Sequence, residues 1–186
     1  MVGAGGHASV LMDILKQNNI IVSGVFAPNI DMRRLVFSSI PYSVNEDEIL
    51  QMDRDSVFLV NGLGFLPGLN TRNKVSKKFK SNGFKFLSVV AKSVEISAYA
   101  KIGSGVQLLN GAIVQAGAII EDDTIINTRA IVEHDCFVGQ ASHLAPNSTV
   151  CGGVKMGSNV FIGSNATVLP GRILKDNEIV AAGSIR

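Results

Sequence analysis

The second half of the chain shows a six-residue repeat of hydrophobic positions. From residue 96 to residue 185 the sequence divides into fifteen consecutive blocks of six without an insertion or a deletion. This period matches neither the period of about 3.6 residues of an α-helix nor the alternation of a simple strand. It predicts a hexapeptide β-helix, in which short parallel strands wind around a prism and each turn packs on its neighbours. The first residue of every block is aliphatic or methionine: Ile96, Ile102, Leu108, Val114, Ile120, Ile126, Val132, Val138, Leu144, Val150, Met156, Ile162, Val168, Leu174 and Val180.

Other places of the block follow the same repeat. The fifth place is usually a small residue, and glycine recurs at the second place. Three blocks complete one coil, so that residues eighteen positions apart are expected to stack on one another in five coils. Near the end of the repeat the fifth place holds Arg172 and Glu178, which predicts a distorted last coil.

Residues 1–90 have a different pattern, in which predicted strands and helices alternate. This alternation predicts an α/β domain with a small, parallel, Rossmann-like sheet, followed by the β-helix domain at residues 91–186. A glycine-rich segment, Gly3–Ala8, lies between the strand stub Met1–Val2 and the first helix. The predicted helices are residues 9–17, 45–52 and 70–81, and the predicted strands are residues 20–26, 56–61 and 84–90.

The glycine-rich segment is a candidate phosphate-binding loop, because bare backbone N–H groups at a helix N-terminus attract anions. As a dinucleotide fingerprint it is weak. Ala27-Pro28-Asn29 stands where an acidic residue that binds the ribose is expected. A nucleotide-sugar role is therefore favoured over NAD, and a tight turn without a ligand is the alternative.

Composition and charge narrow the class of protein. The 186 residues are 46% hydrophobic with a net charge of +2, and no arginine cluster or aromatic platform indicates nucleic-acid binding. Residues 102–120 carry no charge, but the six-residue repeat continues through them with turn-forming residues, so membrane insertion is not predicted. Cys136 and Cys151 are expected to be reduced, and the absence of a signal peptide predicts a cytoplasmic protein.

Two of the three histidines fall within the repeat, at His134 and His143. Both are assigned to turn-forming places, so that neither is expected to point into the core. A histidine is a suitable general base near neutral pH, and Asp135 beside His134 would orient the imidazole. The positions stacked on His134 and Asp135 are Gly152 and Gly153 on one side and Ala116 and Gly117 on the other. This leaves room for a substrate.

Several of these motifs together resemble those of the bacterial sugar acetyltransferases with a left-handed β-helix. They are Gly-Ala-Gly-Gly-His near the N-terminus, Asn127-Thr128, Glu133-His134-Asp135-Cys136, His143 and Cys151-Gly152-Gly153-Val154-Lys155. That family includes nucleotide-sugar 4-amino N-acetyltransferases of glycan or surface-polysaccharide biosynthesis and sialic acid O-acetyltransferases. The resemblance implies a homotrimer, with acetyl-CoA as co-substrate between neighbouring prisms and the nucleotide-activated amino sugar bound to the N-terminal domain.

The resemblance also implies roles for individual residues. His134 would be the general base, assisted by Asp135. The acetyl-CoA site would include His143, Gly152, Ser164 and Ala182, and the sugar-nucleotide site would include Gly5, Gly6, His7, Asn29 and Asn127. Family members often carry paired aspartates where this chain has Ala27-Pro28-Asn29, which puts a uridine nucleotide in doubt.

Three other functions are compatible with a β-helix. The first is O-acetylation of a free or activated sialic-type sugar. The second is a γ-type carbonic anhydrase, which needs three histidines on zinc, whereas the repeat region holds only two. The third is a non-catalytic assembly module, which leaves the Glu-His-Asp cluster unexplained. No metal is expected.

Overall fold

The computed structural model describes residues 1–31 and 33–186, and these form two units, Met1–Val89 and Val90–Arg186. Strands of two residues each make up the second unit, and the first of them begins at the last residue of the first unit. Their bounds are β5 Val89–Val90, β6 Glu95–Ile96, β7 Lys101–Ile102, β8 Gln107–Leu108, β9 Ile113–Val114, β10 Ile119–Ile120, β11 Ile125–Ile126, β12 Ile131–Val132, β13 Phe137–Val138, β14 His143–Leu144, β15 Thr149–Val150, β16 Lys155–Met156, β17 Phe161–Ile162, β18 Thr167–Val168, β19 Ile173–Leu174 and β20 Ile179–Val180.

These strands form three parallel sheets whose register follows the repeat. The sheet orders are β18-β15-β12-β9-β6, β19-β16-β13-β10-β7 and β20-β17-β14-β11-β8-β5. Ile120 pairs with Val138, and Val132 with Val150, so each residue pairs with the one eighteen positions further on. The predicted coil of eighteen residues is confirmed, and the stacked parallel sheets are consistent with a left-handed β-helix.

The core of the second unit consists of the first and fifth places of the blocks. Val132, Leu144 and Val150 at the first place are fully buried, as are Ala130 and Val154 at the fifth place. The fourth place adopts the left-handed backbone conformation, for example at Asp123 with φ +60°. Asn, Asp and Gly occupy most of these positions because they tolerate positive φ.

The prediction of a distorted last coil is wrong. The last strands, β19 and β20, pair in register with β16 and β17. Arg172 and the partly buried Glu178 stand at the fifth place, and the carboxylate of Glu178 accepts hydrogen bonds from the Lys175 N–H at 2.9 Å and from Arg186 Nε at 3.0 Å. The polar side chain therefore finds partners without breaking the ladder.

In the first unit the strands are shorter than predicted. The elements are helices α1 Gly6–Gln17 and α2 Thr71–Ser81, 3₁₀ helices Leu35–Phe37 and Glu46–Gln51, and strands β1 Val25–Phe26, β2 Tyr42–Ser43, β3 Phe58–Leu59 and β4 Lys85–Phe86. The predicted strand at residues 20–26 is wrong for its first five residues, since the partner β2 pairs only with Val25 and Phe26. Ile21 in that stretch is exposed. The strand β2 itself has no apolar run and was not predicted.

Parallel pairing in the first unit centres on Val2. The strand pairs β1-β2 and β3-β4 are both parallel, and Val2 forms parallel bridges to Phe26 on one side and to Asn61 on the other. The core around Val2 includes Phe26, Ile49, Leu59, Val75, Phe79, Phe84 and Phe86. These ladders are too short to establish the Rossmann-like sheet, which stays a prediction.

Candidate functional site

His134 and Asp135 form a hydrogen-bonded pair in the turn that follows β12. His134 Nδ1 lies 2.9 Å from Asp135 Oδ2, and both side chains are exposed, at 65% and 74%. An ionised carboxylate only accepts hydrogen bonds, so Nδ1 must carry the proton of a neutral ring. The other ring nitrogen, Nε2, is then left as a proton acceptor.

Because Gly152 and Gly117 have no side chain, the side chains of His134 and Asp135 can occupy the space beside them. A methyl group added to Gly152 would lie 2.5 Å from His134 Nε2, and one added to Gly117 would collide with the Asp135 carboxylate. Backbone bonds fix the stacking, since the Gly153 N–H donates to the His134 carbonyl at 2.9 Å. The expected stacking of Gly152 and Gly117 on the acid–histidine pair is therefore present. The space beside these two glycines is filled by the His134 and Asp135 side chains themselves, so the prediction that it is left for a substrate is wrong there.

A second polar group involves Asn127 and His143. Asn127 Nδ2 lies 3.0 Å from His143 Nε2, and Asn127 Oδ1 accepts the Thr128 N–H at 2.7 Å. Because a backbone N–H only donates, it fixes which end of the amide is oxygen, and the amide NH₂ must donate to Nε2. The rings of His143 and Phe161 pack in a T-shaped arrangement at a centroid distance of 5.3 Å.

The predicted position of His143 in a turn is wrong. It lies in strand β14 and is 7% exposed, with Ile125 and Phe161 as its strand neighbours. The sixth place of a block is a strand residue that points away from the core, rather than part of the turn. The side chain can therefore be buried without entering the prism.

Two edges of the prism hold the predicted site residues of the second unit. The His143 edge contains Asn127, His143, Ser164 and Ala182, and follows strands β11, β14, β17 and β20. Its coils are joined by hydrogen bonds such as Gly183 N–H to the Ser164 carbonyl at 2.8 Å. The His134 edge contains His134, Asp135 and Gly152, and follows β12 and β15. In the described part of one chain no hydrogen bond connects these two groups of side chains.

The predicted sugar-nucleotide residues border two open cavities of the first unit. Gly5, Gly6 and His7 line a cavity of about 350 Å³ together with Leu63 and Arg72. Gly5 and Asn29 line another of about 300 Å³, which also contains Arg34. Gly5 is the N-cap of α1, and no side chain caps this helix.

Buried Arg72 was not singled out from the sequence. Its Nη1 donates to the carbonyls of Asn61 at 3.0 Å and Leu63 at 2.6 Å, so it fixes the loop that forms one wall of the cavity at Gly5. Arginine inside an amphipathic helix resembles a surface residue in sequence, and no pattern distinguishes it.

The two cysteines are both free thiols. Burial raises the pKa of the Cys136 thiol above its usual value, and backbone N–H groups of Val154 and Gly153 oppose that change. Cys136 Sγ donates to the Cys151 carbonyl at 3.1 Å. Cys136 is therefore an inert filler of the core beside the His134 edge.

The part of the chain that the structure describes contains neither a metal-binding cluster nor a membrane-spanning helix. Within residues 1–31 and 33–186 no group of three or more His, Cys, Asp or Glu side chains is arranged to hold a metal ion. None of the helices in these same ranges has the length and hydropathy needed to span a bilayer.

Comparison with known proteins agrees with this architecture. Residues 135–170 match the family described as bacterial transferase hexapeptide (six repeats). PerB from Caulobacter crescentus, solved with CoA and GDP-perosamine, is 29% identical with a TM-score of 0.87 over 100% of this chain and 86% of that one. A histidine variant of the perosamine N-acetyltransferase from the same organism, also solved with CoA and GDP-perosamine, is 27% identical, with a TM-score of 0.86 and the same coverage.

A third structure shares the fold at lower identity. The acetyltransferase domain of PglB from Neisseria gonorrhoeae is 21% identical, with a TM-score of 0.86 over 100% of this chain and 88% of that one. Both the repeat match and the full-length structural similarity agree with the resemblance found in the sequence. The chain is therefore a hexapeptide-repeat protein that resembles the bacterial sugar acetyltransferases in fold and in sequence.

Proposed function

We propose that this protein transfers the acetyl group of acetyl-CoA to the amine of a nucleotide-linked 4-amino-sugar, with His134 as the general base. The observation that carries this proposal is the exposed His134 imidazole, whose Nδ1 is hydrogen-bonded to Asp135 and whose Nε2 lies over Gly152. This fixes the ring tautomer and leaves Nε2 as a proton acceptor on a side chain that is 65% exposed, which suits general-base catalysis.

The reaction needs little beyond positioning and one proton acceptor. As the amine nitrogen attacks the thioester carbonyl, His134 Nε2 takes a proton from it, and a C–N bond forms. The tetrahedral intermediate then expels CoA as a thiolate, which receives the proton from the imidazolium. The Gly152 N–H makes no hydrogen bond within the described residues, and we assign it as the donor to the oxyanion.

The complete site is proposed to lie between copies of the chain. The His134 edge supplies the base, while the His143 edge supplies His143, Ser164 and Ala182 for acetyl-CoA and Asn127 for the acceptor substrate. A homotrimer with cyclic symmetry would place the His134 edge of one copy against the His143 edge of the next. Sedimentation should then give a trimer at micromolar concentration, and a monomer with full activity would contradict a shared site.

The acceptor is proposed to bind through the first unit. Cavities at Gly5, Gly6 and His7 adjoin the uncapped start of α1, whose N–H groups suit a diphosphate. The similarity to PerB, which was solved with GDP-perosamine, supports an amino sugar carried by a nucleoside diphosphate. A cytoplasmic location would give access to both substrates.

Two measurements test this function. The first is thermal stabilisation by UDP-, dTDP-, GDP- and CMP-linked sugars with and without CoA, in which at least one sugar nucleotide should raise the melting temperature. Stabilisation by a free sialic-type sugar alone would favour O-acetylation instead. The second is steady-state kinetics of His134→Ala, whose kcat should fall by about 10²–10⁴ while the KM for acetyl-CoA changes little. A folded, fully active variant would remove the proposal.

A further inference from the structure

A cavity of about 300 Å³ lies beside the glycine-rich loop and has no role in the mechanism described above. Its apolar walls include Phe26, Pro28 and Leu63, and its polar lining includes Glu46 and Lys78. It lies where the parallel segments Met1–Val2 and β1 end. Ligands of α/β sheets bind in such crevices at the carboxyl ends of the strands. Since apolar walls with a few polar groups are typical of ligand sites, this cavity is suited to a flat ring.

The polar groups of this cavity form an ordered pair. Lys78 Nζ lies 2.8 Å from Glu46 Oε1, and the side chains remain 34% and 40% exposed, so that a ligand can reach them. Hydrogen bonds to Asp47 and Glu46 raise the pKa of Lys78, which keeps it a charged donor. The cavity therefore presents the Lys78 donor next to a carboxylate, which only accepts. The side chains of Thr71 and Lys74, which can also donate, line the cavity as well.

We infer that this cavity binds a guanine base and that Glu46, with Lys78 beside it, is the residue that selects it. Guanine is the common base with two adjacent N–H donors on its pairing edge, next to a carbonyl oxygen. The two donors fit the two oxygens of Glu46, and the carbonyl fits the Lys78 ammonium. Uracil has a single donor between two carbonyls, so one of its oxygens would face the carboxylate. Adenine and cytosine also place an acceptor next to their donor.

The position of the cavity fits the rest of a sugar nucleotide. Gly3, Pro28 and Leu63 line both this cavity and the neighbouring one that contains Gly5 and Arg34. Leu63 and Gly5 also line the cavity at His7. A base beside Glu46 would thus direct its diphosphate toward the start of α1 and the Arg34 guanidinium. This assignment rests on the proposed nucleotide-sugar function and specifies its nucleotide as a guanosine diphosphate.

Calorimetric titration of the full chain with GDP, IDP, UDP and ADP tests the inference. IDP differs from GDP only by the missing amino group, which would donate to Glu46. GDP should bind at least about tenfold more tightly than IDP, as expected for one hydrogen bond to a charged group, and more tightly than UDP or ADP. Glu46→Gln should weaken GDP binding by a similar factor and abolish the difference between GDP and IDP.

Asp47→Asn is the matched control, because Asp47 also pairs with Lys78, at 2.6 Å, but does not line the cavity. It should retain the preference for GDP over IDP. Equal binding of GDP and IDP by the unsubstituted protein, or tighter binding of UDP, would overturn the guanine assignment and leave the proposed acetyl transfer intact. If none of the four nucleotides binds while a free sugar is acetylated, the nucleotide-sugar function fails as well.

Discussion

Gly152→Ala is the most direct test of the geometry at the His134 edge. The added methyl group would lie 2.5 Å from His134 Nε2 and 2.7 Å from Cε1. Contact at van der Waals distance needs about 3.5 Å, so the imidazole must move by about 1 Å. The position of Gly152 is not in the left-handed region, unlike that of Gly153, and alanine therefore meets no backbone strain there.

The displaced ring should lose its hydrogen bond to Asp135 or its alignment with the acceptor amine. A misplacement of about 1 Å can reduce the rate by about a hundredfold, and we expect kcat to fall by about that factor. The free energy of unfolding should change by less than about 1 kcal/mol, because the 65% exposed imidazole can rotate toward solvent. Release of CoA from acetyl-CoA, followed with a thiol reagent, measures kcat, and chemical denaturation measures stability.

Gly153→Ala is the control for this experiment. Its added methyl group meets no neighbour, but Gly153 has φ +72°, so alanine should cost about 1–2 kcal/mol of stability without displacing the imidazole. The two variants should therefore show opposite effects, with loss of rate at position 152 and loss of stability at position 153. An active Gly152→Ala enzyme with unchanged kcat would refute the assignment of His134 Nε2 as the base.

Four further predictions follow from contacts of single residues. Asp135→Asn should lower kcat by less than His134→Ala does, for which a fall of about 10²–10⁴ is expected. His143→Ala should mainly raise the KM for acetyl-CoA, and steady-state kinetics of the three variants compare these effects. Leu144→Ala should lower the free energy of unfolding, measured with urea, by about 2–5 kcal/mol, since Leu144 is fully buried between coils. Burial raises the pKa of the Cys136 thiol in the folded protein, so as the pH rises this thiol ionises in the unfolded chain before it does so in the folded protein. The free energy of unfolding should then fall with rising pH above about 8.5, by at most about 1.4 kcal/mol per pH unit. Unfolding curves recorded at pH 7 and 10 under reducing conditions should show a smaller fall of this free energy in Cys136→Ala than in the unsubstituted protein.

The β-helix could be predicted from the sequence because its pattern is strictly local. Each block needs an apolar residue at the first place, and each coil packs on the next at a constant separation, so one register determines every strand pair. The last coil shows the limit of that reasoning. Residue type alone suggested that Glu178 would disrupt it, whereas the structure supplies the Lys175 N–H and Arg186 as partners. Such partners depend on side-chain directions that a repeat pattern does not contain.

The first unit was harder to predict because its contacts are not periodic. Val2 joins two strand pairs by single bridges, and no hydrophobic run marks β2 at all. Glu46 and Lys78 are separated by 32 positions and belong to different elements. In sequence each is an ordinary charged residue of a solvated helix face. Their pairing at the rim of an apolar cavity becomes apparent only when the parallel segments are in place.

The predicted turn placement is correct for His134 and wrong for His143, while the site roles of both residues stay predictions. Both lie on the outside of the prism, but His143 is a strand residue held by Asn127 and Phe161, whereas His134 is a turn residue held by Asp135. The buried ring, with Nε2 occupied by an amide donor, is suited to fixing a ligand and not to accepting a proton. The exposed ring of His134, whose Nδ1 is bonded to Asp135, instead keeps Nε2 as a proton acceptor. These hydrogen bonds favour the proposed division of labour between a binding histidine and a basic histidine. The location of the two residues on two edges is the physical reason for proposing that neighbouring copies complete each site.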